Sequence, residues 1–300
     1  MIDLKQLIKT EAVRLGFSHC GVTKNDSLEA IRPFYSDFIQ RNGYAHLKYL
    51  QTWFEKRIRP DLVMEETKSV IALLVNYFPP VVIPENDNFI ISKHAYGNDY
   101  HVLIKSRLNE LIHFIKKSCG SNHAMGFVDS GPVLEKAWAQ KCGVGWQGKN
   151  TLIINRSAGS FFFIGIIFTD LQLEPDPPET DHCGKCTNCV KACPTGALDL
   201  PYQLNIPRCI AYQTIESKEV IPMDLKNNFN DRIYGCDICQ DVCPYNRFAH
   251  PHQIPEFLPS ETLMNLRKKD WISLSAEDFK KIFKDSSIKR LGYQRLKRNM

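Results

Sequence analysis

The stretch from Cys183 to Cys243 sets the strongest limit on what this chain can fold into. It holds Cys183-Gly-Lys-Cys186-Thr-Asn-Cys189-Val-Lys-Ala-Cys193-Pro194 and, further along, Cys236-Asp-Ile-Cys239-Gln-Asp-Val-Cys243-Pro244. The first run has the spacing C-x2-C-x2-C-x3-C-P, in which a tight loop aims three thiolates at one 4Fe-4S cluster and sends the fourth to a second cluster. The second run is one cysteine short, and Cys209 is the nearest thiol to complete it. A crossed ligand set follows: Cys183, Cys186, Cys189 and Cys243 on one cluster, and Cys193, Cys209, Cys236 and Cys239 on the other. Structural zinc also uses paired C-x2-C loops, but it does not call for C-x3-C-P twice. A disulfide framework fits poorly with 300 residues and no secretory signal.

The rest of the chain has room for a catalytic half. Its 43% apolar content suits a globular core. The longest apolar run, Phe161 to Phe168, falls far short of the ~20 residues of a membrane span. The expectation is a cytoplasmic protein with reduced thiols and no membrane contact, monomeric in the absence of any obligate-interface signal. Residues 261–300 carry eleven Lys and Arg against five Asp and Glu, leaving 27 against 28 elsewhere, so the formal charge of +5 sits in the tail. Such a patch attracts polyanions by counterion release, although a solvated helix face also explains a charge run.

Periodicity predicts an opening helix over residues 2–15 stopped by Gly16, a helix near Leu28 to Phe38, and a charged turn at residues 55–61. A buried strand is predicted over Ser69 to Tyr77, then a helix over residues 101–116 carrying Ile104, Leu108, Leu111, Ile112 and Ile115. The loop before it, residues 92–101, is polar and aromatic, with His94 and His101 either touching a ligand or lying on the surface. Ala124 to Val128 reads as a strand, and Val133 to Cys142 as a helix with Pro132 in its first turn. Asp129 then sits at the carboxyl end of a strand beside a helix N-terminus, where open α/β sheets bind ligands; capping that helix is the plainer role. Gly143-Val-Gly145-Trp146-Gln147-Gly148 has the letters of a dinucleotide fingerprint, but a helix precedes it and the predicted strand Thr151 to Asn155 follows, the reverse of what that motif needs. Gln147, Lys149 and Asn150 are its polar groups, free to meet something flat and large. Phe161 to Phe168 is another strand, residues 174–179 read as a proline-rich linker, and short helices are predicted near Leu263 to Lys269 and Ala276 to Phe283.

Clusters that pass single electrons, beside a domain with ligand loops but no nicotinamide fingerprint, imply an organic cofactor; flavin and corrinoid are the candidates. Six stretches carry a family resemblance: Glu55-Lys-Arg57-x-x-Pro60, Tyr96-Gly-x-Asp-Tyr-His101, Val128-Asp129-Ser-Gly-Pro-x-x-Glu135, Gly143-x-Gly-Trp-x-Gly-Lys149-Asn150, Asp181-x-Cys183-Gly-x-Cys186 and Tyr234-Gly235-Cys236-Asp-x-Cys239-Gln. In combination, over nearly the whole chain, they resemble the epoxyqueuosine reductases, cobalamin-dependent iron-sulfur enzymes of tRNA queuosine biosynthesis.

The resemblance implies an α+β or α/β fold: a nitroreductase-like cobalamin-binding domain over residues 1–174, a ferredoxin-like module with two 4Fe-4S clusters over 175–250, and a basic helical segment over 251–300 that contacts tRNA. It implies Asp129 as proton donor and cobalamin contacts at Arg57, Ser92, Asp129, Gln147, Lys149, Asn150, Thr151, Thr214 and Asp237. The implied reaction reduces epoxyqueuosine to queuosine at the tRNA wobble position, with electrons relayed by the clusters from an external donor. A proton for the departing oxygen would come from a carboxyl whose pKa is raised in a largely buried site. Lys289, Arg290, Arg295, Lys297 and Arg298 would meet phosphates. A corrinoid reductase of small molecules, similar to reductive dehalogenases, is the alternative; a ferredoxin-like carrier without catalysis leaves the first half without a role.

Overall fold

The computed structural model describes residues 3–41, 44–45 and 47–300, so residue 2 of the predicted opening helix lies outside them. In chain order the elements are α1 (Leu4–Arg14), β1 (His19–Lys24), α2 (Arg32–Gln40), α3 (Phe54–Ile58), β2 (Ser69–Asn76), β3 (Ile90–Ile91), α4 (Tyr100–Cys119), β4 (Ala124–Phe127), α5 (Glu135–Lys141), β5 (Trp146–Gln147), β6 (Ile153–Ile154) and β7 (Phe162–Thr169). They continue with α6 (Asn188–Ala192), a π-helical turn at Tyr212–Glu216, α7 (Met223–Lys226), β8 (Arg232–Tyr234), α8 (Ile238–Asp241), α9 (Glu261–Asn265), α10 (Lys268–Ser273), α11 (Ala276–Ile282) and α12 (Tyr293–Asn299).

The centre is a four-stranded sheet in the order β1-β2-β7-β4, antiparallel throughout, with Ile71 opposite Ile167 and Ile166 opposite Phe127. Both faces are covered, so β2 reads as an unbroken apolar run. Ile71, Leu73 and Val75 join the core with α1 and α4, while Val70, Ala72 and Leu74 join the core with α5. Each of the Val, Leu and Ile side chains contributes roughly 1.5–3 kcal/mol by leaving water. Helix α4 follows its predicted stripe, starting where Asp99 accepts from the His101 amide at 3.1 Å and ending at Gly120.

Four expectations are revised. The sheet is antiparallel, so the α/β half of the fold-class expectation gives way to α+β, and the rule for ligand sites in open parallel sheets does not locate Asp129. Helix α5 begins at Glu135 rather than Val133, with no side-chain cap, so Pro132 belongs to the preceding turn and Asp129 does not cap the helix. The predicted strand Thr151 to Asn155 shrinks to β6, paired with β5 in a short hairpin. The proline-rich stretch is tied down: Asp176 accepts from Lys9 at 2.8 Å, Lys5 at 3.2 Å and the Val22 amide at 2.9 Å.

A third core joins the C-terminal helices to the middle of the chain. Trp271, Phe279, Phe283, Ile288 and Leu296 pack with Ile91, Tyr96, Ile233 and Tyr234, and the buried Trp271 indole donates to Asn88 at 2.8 Å. Backbone bonds from Asn98 to Glu256 and from Asp99 to Asp285, each 2.7 Å, fix the loop that enters α4. Strand β3 lies parallel to β8, and the Ser92 amide donates to Tyr234 at 2.7 Å, carrying Ser92 to the second cysteine run. Among the described residues no helix is long and apolar enough to cross a membrane.

Candidate active site

The eight cysteines of the two runs fall into two groups. Cys183, Cys186, Cys189 and Cys243 line one cavity of about 220 Å³, and Cys193, Cys209, Cys236 and Cys239 line another of about 240 Å³. The exchange occurs because the last cysteine of each run follows a short helix, α6 or α8, and these two helices pack together. Among the described residues no three Cys, His, Asp or Glu side chains converge as for a single metal ion; the thiols instead surround space, four to a cavity. Soft sulfur donors in fours suit iron-sulfur clusters. Burial raises the thiols of Cys183, Cys189, Cys209 and Cys243, pushes Cys236 up to about 12, and raises Cys239, with Cys236, Cys209 and Cys193 adding to the effect there. Metal binding there must release protons.

The glycine-rich stretch reaches both groups. Lys149 Nζ donates to the carbonyls of Gly184 at 2.6 Å and Cys186 at 2.9 Å, and Asn150 donates to the Cys239 carbonyl at 3.1 Å. Thr151 takes a left-handed φ of 63° and lines the second cavity with Asn150, Ser92, His94, Lys136 and Asp237. Ser92 donates to Asp237 Oδ1, its Oγ lies 2.7 Å from His94 Nδ1, and the Lys93 amide donates to Asp237 Oδ2 at 2.8 Å. Burial holds the His94 imidazole below its ordinary pKa. Gly235 has a φ of 73°, and a Cβ there would stand 2.5 Å from Ser92 Cβ, so only glycine lets β8 pass so close. Thr214 sits one layer behind, accepting the Gly235 amide at 2.9 Å.

The other expected cofactor residues lie apart from this cavity. Arg57 is buried, and its guanidinium donates to the carbonyls of Tyr49 at 3.0 Å, Val133 at 3.3 Å and Thr52 at 3.4 Å. Gln147 belongs to β5, and its amide donates to Gln140 at 3.3 Å. Lys149 lines the first cavity, bound to the cysteine loop.

Asp129 follows β4 in a tight turn with a φ of 50°, a conformation an Asp tolerates at modest cost. Its side chain is 53% exposed, so the largely buried carboxyl expected from the sequence is not found. Oδ2 accepts from the Tyr100 hydroxyl and lies 3.5 Å from His101 Nε2, whose Nδ1 lies 2.7 Å from Asp99 Oδ1. Tyr100 is stacked on Phe163 at 3.9 Å and on His101 at 4.1 Å. Burial, then the charge of Asp129, raises the Tyr100 phenol, so it stays protonated. Asp129 also acts electrostatically on His94 and Lys136, two residues of the second cavity. Sequence reasoning missed Lys136, for which a lone Lys beside Glu135 gives no signal, and Tyr100, whose place in Tyr96-Gly-x-Asp-Tyr-His101 could have marked it.

The basic tail is largely engaged with the fold. Arg298 donates to the carbonyls of Gln213, Ser217 and Glu219, Arg295 to those of Ile215, Glu216 and Leu291, and Lys297 to those of Trp271 and Ile272. Arg290, 63% exposed, pairs with Glu216 at 2.8 Å and acts electrostatically on Tyr100 and His94, which places it at the rim of the site.

Residues 182–246 match the family described as 4Fe-4S double cluster binding domain. The α+β half carrying Asp129 and this double-cluster module together define an iron-sulfur oxidoreductase. Residues 57–130 match the family described as Epoxyqueuosine reductase QueG, DUF1730. The chain is 46% identical to the epoxyqueuosine reductase of Cellulophaga algicola over 98% of its own length and 96% of that protein's. The chain belongs to the epoxyqueuosine reductase family. Its fold matches, with a TM-score of 0.89 and 30% identity, the crystal structure of an epoxyqueuosine reductase with an epoxyqueuosine-modified tRNA-Tyr stem loop, covering 99% of this chain and 79% of that one. It also matches the Bacillus subtilis enzyme, in a form whose catalytic loop is swung out of the active site, with a TM-score of 0.87, 29% identity and coverage of 99% and 79%.

Proposed function

We propose that this chain reduces epoxyqueuosine to queuosine in the anticodon of tRNA, with cobalamin held in a nitroreductase-like catalytic half and one 4Fe-4S cluster in each four-thiol cavity. The observation that carries it is the convergence on one cavity of Cys193, Cys209, Cys236 and Cys239 with Ser92, Asn150, Thr151 and Asp237, under the electrostatic reach of Asp129. When bound, the clusters and cobalamin supply single electrons and a low-valent metal centre for an otherwise inert carbon-oxygen bond.

The chain's own residues then have defined tasks. Removing an epoxide oxygen as water takes two electrons and two protons, and an alkoxide leaves poorly unless protonated. In this reading Asp129, exposed on the tight turn after β4, delivers that proton. His101 stands between Asp129 and Asp99 with one ring nitrogen toward each, so it can pass a proton to the spent carboxylate. Tyr100 fixes the carboxylate's orientation. Ser92, Asn150, Thr151 and Asp237, which line the cavity, would hold polar edges of the cofactor.

The partner reading rests on the rim. Tyr49, 53% exposed, carries an aromatic ring within electrostatic reach of Asp129 and Glu216, and Arg290, paired with Glu216, offers a cation. Unstacked anticodon bases and their phosphates need such a pair. The solved relative with its tRNA stem loop supports the same substrate here. A small-molecule reductase would have no use for that rim. The test is anaerobic incubation of reconstituted protein, reductant and epoxyqueuosine-bearing tRNA, with and without cobalamin, followed by nucleoside mass analysis. Queuosine formed only with cobalamin is expected; none formed by protein carrying both clusters and cobalamin rejects the substrate.

A further inference from the structure

We propose that Trp146 sets the reduction potential of the cluster held by Cys183, Cys186, Cys189 and Cys243, by donating its indole N–H to the Cys183 sulfur. The inference rests on the cluster reading above and concerns how one half of the protein acts on the other. Trp146 belongs to the catalytic half, in β5, and is fully buried. Its Nε1 lies 3.5 Å from Cys183 Sγ, the one acceptor it meets among the described residues. Burial alone does not force such a bond, because the equally buried Trp138 leaves its Nε1 without a partner.

The indole is aimed. It stands edge-on to His182 at 5.0 Å and 74° and to Tyr245 at 4.8 Å and 80°, residues that flank the cysteine loops at Cys183 and Cys243. From behind, the hairpin fixes it: a Cβ on Gly145 would stand 2.6 Å from the Ile154 carbonyl. The backbone amide of Lys149 acts on the same sulfur. In the other group, the sulfur of Cys193 meets the Ala197 amide at 3.2 Å and the Thr195 hydroxyl at 3.7 Å, with no indole.

Hydrogen bonds to ligand sulfurs stabilise the extra negative charge of the reduced cluster and so raise its potential. The group at Cys183 is the one that lacks Ser92, Lys136 and Asp237 in its lining, so it is the relay remote from Asp129. Raising its potential widens the range of donors able to load it, while the cluster beside the cofactor site keeps its own.

The experiment uses the full chain, anaerobically reconstituted, as wild type and Trp146→Phe. Iron and sulfide are measured first; about eight irons per chain upholds the cluster reading, and a wild type far below that count rejects the reading itself. A redox titration followed by electron paramagnetic resonance is then expected to show one cluster shifted roughly threefold toward its oxidised form, which is about 28 mV at ~59 mV per tenfold for one electron, with the other cluster unmoved. Equal titrations for both proteins at full iron content overturn the proposal. Should the variant lose iron, wild type carrying ¹⁵N-indole tryptophan settles the matter: a nitrogen coupling to a reduced cluster supports the bond, and its absence overturns it.

Discussion

Tyr100 donates its hydroxyl hydrogen to Asp129 Oδ2, and the adjacent His101 turns Nε2 toward the same oxygen at 3.5 Å. Two consecutive residues at the start of α4 thus bracket one carboxylate at the end of β4. Their position depends on distant chain, because Asp99 donates its amide to Asp285 and Asn98 donates its amide to Glu256. The C-terminal segment thus holds the loop that positions Asp129.

Tyr100→Phe removes the donor and leaves the stacked ring on Phe163. The proton donor then loses its orientation, a defect that costs about tenfold to a hundredfold in rate when a catalytic group is misplaced by around an ångström. Single-turnover kinetics are expected to show that loss with unchanged tRNA affinity; an unaltered rate would remove Tyr100 from the site's machinery.

Burial pushes the Glu135 carboxyl up to about 7, and the charge of Asp129 adds to the effect. Below its ordinary 4.5 the group is protonated in folded and unfolded chains alike. Between 4.5 and 7 the unfolded chain releases a proton that the folded chain keeps, so stability falls as pH rises through that window. Glu135→Gln should flatten this slope and gain on the order of 2 kcal/mol over wild type at pH 8 compared with pH 4, after discounting ~1.36 kcal/mol per unit for partial exposure. Denaturant unfolding at several pH values measures it, and parallel slopes for the two proteins would contradict the assignment.

How much of this was legible in the sequence varied with how local the cause was. Cysteine spacing is local, and the crossed grouping read from it matches the two cavities. The runs in β2, β7 and α4 were equally plain, since a buried strand and a helical stripe each leave a period. Strand order is not local: nothing in Ser69 to Tyr77 or Phe161 to Phe168 states that the two run antiparallel, so the parallel-sheet argument for Asp129 failed although the residue did emerge at a strand's end. Charge was the least legible signal. The sequence shows the cations of the tail but not that carbonyls of the π-helical turn and its flanks already receive Arg295 and Arg298.

That division separates two kinds of tail cation. Arg298→Met strands the carbonyls of Gln213, Ser217 and Glu219, which Arg298 reaches at 2.7, 2.8 and 2.7 Å, and should cost about 1–3 kcal/mol of stability. Arg290→Met should instead leave stability within about 1 kcal/mol, as for an exposed ion pair, and reduce the slope of log affinity against log salt for tRNA by roughly 0.7–0.9. Thermal unfolding and salt-dependent tRNA binding on both variants decide it; an unchanged salt slope for Arg290→Met would place the phosphates elsewhere.

The most direct measurement of the central claim is queuosine formed per chain in one reductant-limited turnover, compared between wild type and Asp129→Asn, with cluster and cobalamin content determined in the same samples. Equal iron and cobalamin are expected in the two proteins, with queuosine formed at least ~100-fold more slowly by the variant, the range a general acid supplies. Equal rates at equal cofactor content would contradict it: the proton would come from another group, and Asp129, with Tyr100 and His101 around it, would not be the acid of this site.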